Sequence, residues 1–252
     1  MFTRALTRQP GPDLAGGLTT AALGAPDPHL ALRQHARYVE ALRGLGLEVQ
    51  VLPPLPGHPD ACFVEDTAVL AGSLAVVARP GAPSRRGETG SVAAALAGWG
   101  TAAAVTAPGT LDGGDVLAVE RTCWIGLSGR TNAAGAAQLA HLLTPLGWDC
   151  RQVPVGAGLH LKSGVNHVGG RTLLLTEQFA GRDVFAGWEQ LVVPAGEAYA
   201  CNTLWINGTL LMPAGFPAVR ALLVGLGLPL VELETSEFRK LDGGLTCLSL
   251  RS

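Results

Sequence analysis

Residues 66–80 read DTAVLAGSLAVVARP, two short aliphatic runs that meet at Gly72. Small and branched apolar residues on either side of a glycine predict two β-strands joined by a tight turn. An Ala-rich helical pattern follows over residues 88–97, and another strand-like run, TAAAVTAP, occupies residues 101–108. The segment therefore predicts a strand–strand–helix–strand unit.

The same order of elements recurs along the chain. The second unit has strands GDVLAVE (114–120) and TCWIGLS (122–128), a helix over 132–143 and the strand CRQVPV (150–155). The third has VNHVG (165–169), RTLLLT (171–176), a helix near 182–190 and LVVPA (191–195). The fourth has NTLWI (202–206), TLLMP (209–213), a helix near 218–226 and LPLVELE (228–234). Recurrence at roughly 40 to 50 residues is typical of a repeat architecture.

A fifth unit is split between the two ends of the chain. CLSLR (247–251) can pair with RALTR (4–8), followed by a helix over 30–42 and the strand EVQVLP (48–53). Five such units predict an α/β fold, a five-bladed α/β propeller of ββαβ repeats with pseudo-fivefold symmetry. Residues 1–252 then form a single domain. An open α/β sandwich with a similar element order is the alternative.

Composition excludes several classes of function. The chain has 252 residues, 48% hydrophobic and 15% charged, so it can bury a core. Its 18 Lys and Arg residues against 20 Asp and Glu give a charge of −2, which offers no basic excess for nucleic acid or a membrane surface. The five cysteines are dispersed without a Cys-x-x-Cys motif, which argues against a zinc site or a disulfide scaffold.

Membrane insertion and export are also not expected. Two uncharged stretches, 89–111 and 198–219, are interrupted by glycine, proline or asparagine and would leave backbone groups unsatisfied in lipid. The N-terminus lacks an apolar segment followed by a cleavage site. We therefore expect a cytoplasmic protein.

A ring of repeats would bring the residues before each first strand to one axial pocket. Those residues are Glu65 and Asp66, the segment 112–115, the segment 160–163, Cys201 with Asn202, and Thr246 with Cys247. Acids, a histidine and a cysteine would thus converge although they lie far apart in the sequence.

Cys247 and His160 are the candidates for covalent chemistry. Cys247 follows two glycines in GGLTC, where a thiol can be presented as a nucleophile, although a small buried hydrophobe is the other interpretation. His160 lies in the polar segment GLHLKS and can act as acid and base. Asp112 of LDGGD either orients this histidine or stabilises a turn.

Four charged residues are candidates for binding a ligand. The adjacent carboxylates of Glu65 and Asp66 fit a guanidinium, with a metal ion or plain solvation as alternatives. Arg85 and Arg130, in loops near helix starts, bind a ligand carboxylate or are simply solvated.

Six blocks in series resemble the dimethylarginine dimethylaminohydrolase family of the guanidino-group-modifying (pentein) superfamily. They are FVEDTAV (63–69), ARPGAPSRR (78–86), LDGGDVL (111–117), GLSGRTN (126–132), GLHLKS (158–163) and DGGLTC (242–247). The resemblance covers nearly the whole chain and implies a five-bladed α/β propeller. The implied activity is hydrolysis of Nω-methylated arginine to citrulline and methylamine or dimethylamine.

The resemblance also implies roles for ten residues. Cys247 would be the nucleophile, His160 the proton donor and base, and Asp112 its orienting acid. The implied substrate contacts are Glu65 and Asp66 for the guanidinium, Arg85 and Arg130 for the carboxylate, and Asp60, the Leu18 backbone and the Leu241 backbone for the amino-acid end. No cofactor and no metal are implied. The expected partner is the small-molecule substrate, and a homodimer stays open.

Two other functions remain as alternatives. A relative acting on free arginine or citrulline is one, but arginine deiminases usually carry histidine before the catalytic cysteine, where this chain has Thr246. A non-catalytic binding protein on the same ring is the other, and it has no need of an acid, a histidine and a cysteine together. One departure from animal members of the family is Leu248, where they often carry a second cysteine.

Overall fold

Fifteen strands in the described part of the chain form five separate three-stranded sheets. The structure is a computed structural model that describes residues 1–156 and 158–252. The strands are β1 (Arg4–Arg8), β2 (Glu48–Leu52), β3 (Ala68–Ala71), β4 (Leu74–Val77), β5 (Thr101–Ala104), β6 (Val116–Val119), β7 (Thr122–Leu127), β8 (Asp149–Pro154), β9 (Val165–His167), β10 (Thr172–Thr176), β11 (Glu189–Val193), β12 (Leu204–Ile206), β13 (Thr209–Pro213), β14 (Leu230–Leu233) and β15 (Leu250–Arg251). The α-helices are α1 (Pro28–Gly44), α2 (Thr89–Ala95), α3 (Ala133–Leu143), α4 (Pro217–Val224) and α5 (Ser236–Arg239).

Each sheet repeats one pattern of pairing. In the sheet β3–β4–β5, the first two strands are antiparallel, with Val69 opposite Val76, and the last two are parallel, with Val76 opposite Ala103. The parallel step requires a crossover, which α2 supplies. The sheets β6–β7–β8, β9–β10–β11 and β12–β13–β14 have the same pairing. The fold is therefore a five-bladed α/β propeller, which confirms the predicted class.

The two ends of the chain complete the fifth blade. β15 pairs antiparallel with β1, with Ala5 opposite Arg251, and β1 pairs parallel with β2. The strand predicted over 247–251 is shorter than expected, because Thr246–Leu248 forms a 3₁₀ helix before the strand begins. Cys247 consequently lies in a tight turn and not in a strand.

The third blade departs from the predicted pattern. In place of the α-helix expected near residues 182–190, the chain forms two short 3₁₀ helices, Glu177–Phe179 and Asp183–Phe185. Gly181 and Gly187 adopt positive φ values of 70° and 84°. Left-handed residues this close together interrupt an α-helix, so the prediction of a helix here was wrong.

Apolar clusters lie between neighbouring blades and close the ring. Leu117 and Trp124 of the second blade pack with Val165 and Leu173 of the third. Similar clusters occur at the other junctions, and the one that includes Leu6 joins the fifth blade to the first. Full burial of such a side chain contributes about 1.5–3 kcal/mol, so these contacts stabilise the ring.

The two longest helices begin at side-chain caps. The Asp27 carboxylate accepts hydrogen bonds from the backbone N–H groups of His29 and Leu30, and the side chain of Asn132 accepts one from Gly135. Among the described residues, no helix has both the length and the apolar character needed to cross a membrane.

Candidate active site

Five 3₁₀ helices precede the first strands of the five blades. They are Val64–Thr67, Gly113–Asp115, Leu161–Ser163, Ala195–Cys201 and Thr246–Leu248. Hydrogen bonds connect them: Asp66 Oδ1 accepts from Gly114 N at 3.0 Å, and Asn202 Oδ1 accepts from Thr246 N at 2.9 Å. The segments that were predicted to converge on the axis of the ring are therefore connected to one another around that axis.

A small cavity of about 30 Å³ lies among these turns. It is lined by Leu18, Asp60, Phe63, Asp66, Arg85, Arg130, Leu159, His160, Leu241, Asp242, Gly243 and Cys247. Of the ten residues singled out from the sequence, only Glu65 and Asp112 do not line it. Residues more than 200 positions apart are therefore brought to one cavity.

Asp112 lies behind His160 and orients its ring. The His160 Nε2 atom is 3.0 Å from Asp112 Oδ2 and 3.9 Å from Asp66 Oδ1. The other carboxylate oxygen of Asp112 accepts a hydrogen bond from Gly81 N at 2.9 Å, and the side chain is completely buried. Both oxygens are thereby fixed, so the imidazole has one preferred orientation.

The surrounding carboxylates determine the charge of His160. Burial disfavours the imidazolium, but Asp66, Asp112 and Asp115 outweigh it and raise the pKa of His160 to about 9. Asp115 is itself held by Ser128 and by the backbone N–H of Leu161. His160 is therefore protonated at neutral pH and is ready to donate a proton.

The two glycines of LDGGD permit this close packing. A Cβ atom at Gly114 would lie 2.7 Å from both Asp66 Oδ1 and His160 Nδ1, and one at Gly113 would collide with the Glu65 carbonyl. The two glycines therefore allow close approach to the neighbouring blade and to the histidine ring.

Asp66 is ionised and lies between two cations. Burial opposes its ionisation, but His160 and Arg85 together lower the pKa of Asp66 to about 2. Its Oδ2 accepts a short hydrogen bond from Arg85 Nη1. The carboxylate is consequently a permanent negative charge at the wall of the cavity.

Glu65 does not line this small cavity, although its charge acts on the Cys247 thiol that does, so its contact with a guanidinium stays a prediction. Its Oε1 forms ion pairs with Lys162 Nζ at 2.7 Å and with Arg251 Nη2 at 3.0 Å. Glu65 lines a second, larger cavity of about 380 Å³ that also includes Lys162 and Arg251. Consecutive residues of a tight turn point in different directions, so only Asp66 is directed to the histidine.

Arg85 lines the cavity, but protein acceptors bind most of the N–H donors of its guanidinium. Its guanidinium bonds both oxygens of Glu88, the Asp66 carboxylate and the carbonyls of Asp60 and Phe63. Among the described residues, these bonds leave one Nη1 hydrogen without a protein acceptor. Arg85 can offer a ligand one hydrogen bond, and not the two-pronged contact of a free guanidinium.

Arg130 provides a more available cation. Its side chain forms no hydrogen bond or ion pair within residues 1–156 and 158–252, and it is only half-buried. Its backbone N–H is fixed by Ser128 Oγ at 3.0 Å, in a turn that Asp115 also holds. The turn therefore positions the arginine at the cavity while leaving its charge free.

The segment that contains Leu18 covers the cavity. Leu18 N donates to both carboxylate oxygens of Asp60, at 3.0 and 3.2 Å, and burial raises the pKa of Asp60. Thr20 N and Thr20 Oγ1 both donate to Asp242 Oδ2, at 2.6 and 3.0 Å. Asp242 was not singled out from the sequence, although LDGG at 241–244 repeats the LDGG at 111–114.

Cys247 completes the cavity. Burial, together with Glu65 and Asp66, raises the pKa of Cys247 to about 12. The Gly244 N–H group lies 3.5 Å from its sulfur, and a Cβ atom at Gly244 would collide with Asn202. In this state the residue is a thiol, and it needs a nearby positive charge to become a nucleophile.

A metal ion could in principle use three of these groups. Ligand atoms of Asp66, Asp112 and His160 lie within 4.8 Å of one another. Arg85 already supplies a cation to Asp66, and Asp112 is engaged with Gly81 and His160. These contacts favour neutralisation of the two carboxylates by protein groups over binding of a metal ion.

Comparison with curated proteins shows similarity over the full chain. The chain is 38% identical to the N(G),N(G)-dimethylarginine dimethylaminohydrolase of Pseudomonas aeruginosa over 253 residues, covering 100% of each chain. It is 41% identical to the enzyme of the same name from Streptomyces coelicolor, covering 98% of this chain and 96% of that one. No family model matches the chain.

Solved structures give the same result. A cysteine-to-serine mutant of the Pseudomonas aeruginosa enzyme in complex with citrulline superimposes with a TM-score of 0.98 at 37% identity, over 100% of both chains. A histidine-to-glycine variant of a dimethylarginine dimethylaminohydrolase, as an adduct with S-methyl-L-thiocitrulline, gives 0.97. The N-terminal domain of cyanobacterial ArgZ, an arginine dihydrolase, shares the fold with a TM-score of 0.88 at 20% identity.

Proposed function

The chain belongs to the dimethylarginine dimethylaminohydrolase family, and we propose that it hydrolyses Nω-methylated arginine to citrulline and methylamine or dimethylamine. The reaction passes through a covalent intermediate on Cys247. One observation carries this proposal: the Cys247 thiol, the His160 imidazole and the Asp66 carboxylate line the same cavity. A nucleophile, a proton donor and an anion are the groups that cleavage of a guanidinium requires.

Binding of the substrate activates the thiol. The guanidinium binds against Asp66, whose pKa of about 2 keeps it negative. Because the cation then lies beside Cys247, it favours the thiolate and offsets the burial and the carboxylates that raise the pKa of the thiol to about 12. Ionisation of Cys247 is thus coupled to occupation of the site by a cation.

His160 then makes the amine a leaving group. The Cys247 sulfur attacks the central guanidino carbon and forms a tetrahedral adduct. His160, protonated because its pKa is raised to about 9, gives its proton to the methylated nitrogen. The C–N bond breaks, neutral methylamine or dimethylamine departs, and a thiouronium remains on Cys247.

The same histidine activates water in the second half of the reaction. Neutral His160 accepts a proton from a water molecule, which attacks the thiouronium carbon. The C–S bond breaks, the hydroxyl proton of the adduct passes to the Cys247 sulfur, and citrulline is released from the regenerated thiol. The 3.0 Å contact between Asp112 and Nε2 stabilises the imidazolium that this step regenerates.

The remaining cavity residues bind the amino-acid end of the substrate. Arg130, with the one free hydrogen of Arg85 Nη1, binds the α-carboxylate, because these are the arginines that line the cavity. Asp60 and the backbones of Leu18 and Leu241 bind the ammonium end. The cover formed by residues 18–20 excludes water from the reacting centre.

A colorimetric citrulline assay tests the proposal. The purified protein is incubated with asymmetric dimethylarginine, monomethylarginine, free arginine or buffer alone. We expect citrulline from the methylated substrates and loss of that activity in Cys247→Ala, but not in Cys62→Ala, which changes a buried cysteine outside the cavity. Citrulline mainly from free arginine would support a deiminase instead, and none from any substrate would support a binding protein.

A further inference from the structure

Two cysteines lie side by side on neighbouring strands, away from the cavity. Cys123 of β7 is the direct partner of Cys150 of β8 in a parallel pair. Paired residues of adjacent strands project to the same face, with Cα atoms about 4.8 Å apart. A disulfide requires a Cα separation of about 4.4–6.8 Å, so this register is compatible with one.

The two thiols differ in exposure. Cys123 is completely buried in the cluster between the first two blades, which also contains Leu139 and Leu143 of α3. Cys150 is half-buried and packs against the same cluster. A reagent from solvent can therefore reach Cys150, whereas Cys123 is reached through its neighbour.

Contact between the thiols makes them chemically unequal. The neighbouring Cys123 thiol lowers the pKa of Cys150 to about 7, against the effects of burial and Asp149, and the same interaction raises the pKa of Cys123. Burial raises the pKa of Cys62 and Cys201, and that of Cys247 is about 12. Cys150 is thus the cysteine with the largest thiolate fraction in the substrate-free protein.

We propose that Cys123 and Cys150 form a redox-active dithiol that a peroxide converts to an intramolecular disulfide, independently of the catalytic cysteine. The Cys150 thiolate attacks a peroxide oxygen, the O–O bond breaks, and a sulfenic acid forms while hydroxide leaves and is protonated to water. The Cys123 sulfur then attacks the Cys150 sulfur, and the S–O bond breaks with loss of a second water. The two thiols lose two electrons and two protons, and hydrogen peroxide is reduced to two waters.

The first test identifies the reactive thiol. The substrate-free protein is treated with limiting iodoacetamide at neutral pH, and the modified cysteine is located by peptide mass spectrometry. We expect Cys150 to react roughly tenfold faster than any other cysteine, because thiolate fraction outweighs the lower intrinsic nucleophilicity. Preferential modification of Cys247 or of a buried cysteine would overturn the proposal.

The second test detects the disulfide. Treatment with hydrogen peroxide should lower the intact mass by two hydrogens and link the peptides that contain Cys123 and Cys150, and dithiothreitol should reverse both changes. Cys150→Ala should abolish the change. Cys123→Ala should instead leave a sulfenic acid on Cys150 that dimedone traps, and Cys62→Ala is the control that should behave as wild type.

Several outcomes would contradict the dithiol. They are an unchanged mass, a link from Cys150 to a different cysteine, or a Cys123→Ala variant that still loses two hydrogens. If Cys123→Ala fails to fold, as judged by circular dichroism, Cys123→Ser serves in its place because it conserves the size of the side chain. The readout is covalent mass and not turnover, so the result is independent of the proposed hydrolase activity.

Discussion

His160 Nε2 lies 3.0 Å from Oδ2 of Asp112, a carboxylate with no exposure to solvent. The two residues come from successive blades and are 48 positions apart. Since Gly81 N holds the other oxygen of Asp112, the carboxylate cannot turn away from the ring. The relationship fixes both the charge and the orientation of the group that must protonate the departing amine.

Replacing Asp112 by Asn should slow the reaction without removing the cavity. The amide keeps the size of the side chain but removes the charge that supports the imidazolium. We expect kcat to fall by about 100-fold, in the range of a lost acid–base contribution, and the alkaline limb of the pH–rate profile to move to lower pH. A profile that matches the wild type would show that Asp112 does not act through His160.

The raised pKa of His160 predicts a loss of stability at alkaline pH. The folded value is about 9 and the ordinary value is 6.5, so the charged histidine contributes its full stabilisation below pH 6.5 and loses it as the pH rises through 9. The free energy of unfolding that is lost in this way is at most about 3 kcal/mol. Urea unfolding measured below pH 6.5 and above pH 9 should show a decrease in the free energy of unfolding of the wild type that is absent in His160→Gln. If the two proteins have the same pH dependence, the raised pKa of His160 is refuted.

Removal of Glu88 should destabilise the protein strongly. Glu88 and Arg85 are both buried, and their pair lies at 2.8 Å, so Glu88→Ala leaves a buried guanidinium with one carboxylate fewer. We expect a cost of about 3 kcal/mol in the free energy of unfolding. The control is Glu40→Ala, which breaks an exposed pair with Arg37 at the same 2.8 Å and should cost about 0.5 kcal/mol or less. Equal effects in urea unfolding would contradict the account.

Asp242 should act on substrate binding through the cover segment. Asp242 has a φ of 57°, so Asp242→Gly removes the carboxylate that holds Thr20 without adding backbone strain. We expect KM to rise about tenfold, equivalent to about 1.4 kcal/mol, with a smaller change in kcat. Asp242→Asn keeps an acceptor oxygen and should be intermediate, whereas unchanged kinetics in both variants would exclude this role.

The fold could be predicted because the period of the apolar pattern changes in the same order five times. The replacement of the third unit's α-helix by 3₁₀ helices could not be predicted. Gly181 and Gly187 determine the local backbone there through positive φ values, which apolar periodicity does not encode. The shortening of β15 could not be predicted either. The 3₁₀ helix at Thr246–Leu248, which precedes this strand, is hydrogen-bonded to Asn202 from another blade.

Most of the residues singled out from the sequence line the candidate cavity, but the directions of their side chains could not be predicted. Asp66 and Glu65 are adjacent and chemically alike, and the sequence does not show that Glu65 pairs with Lys162 and Arg251. The engagement of Arg85 by Glu88 is likewise a matter of packing. Asp242 had a usable signal in the repeated LDGG segment, and the pairing of Cys123 with Cys150 required the strand register.

Chemical quenching within the first turnover tests the central claim most directly. The protein is mixed with asymmetric dimethylarginine, quenched in acid and analysed by peptide mass spectrometry. We predict an adduct on Cys247 whose mass equals the substrate minus dimethylamine, and neither adduct nor citrulline in Cys247→Ser. Citrulline formation at a normal rate in Cys247→Ser, or an adduct on a different residue, would contradict the covalent mechanism.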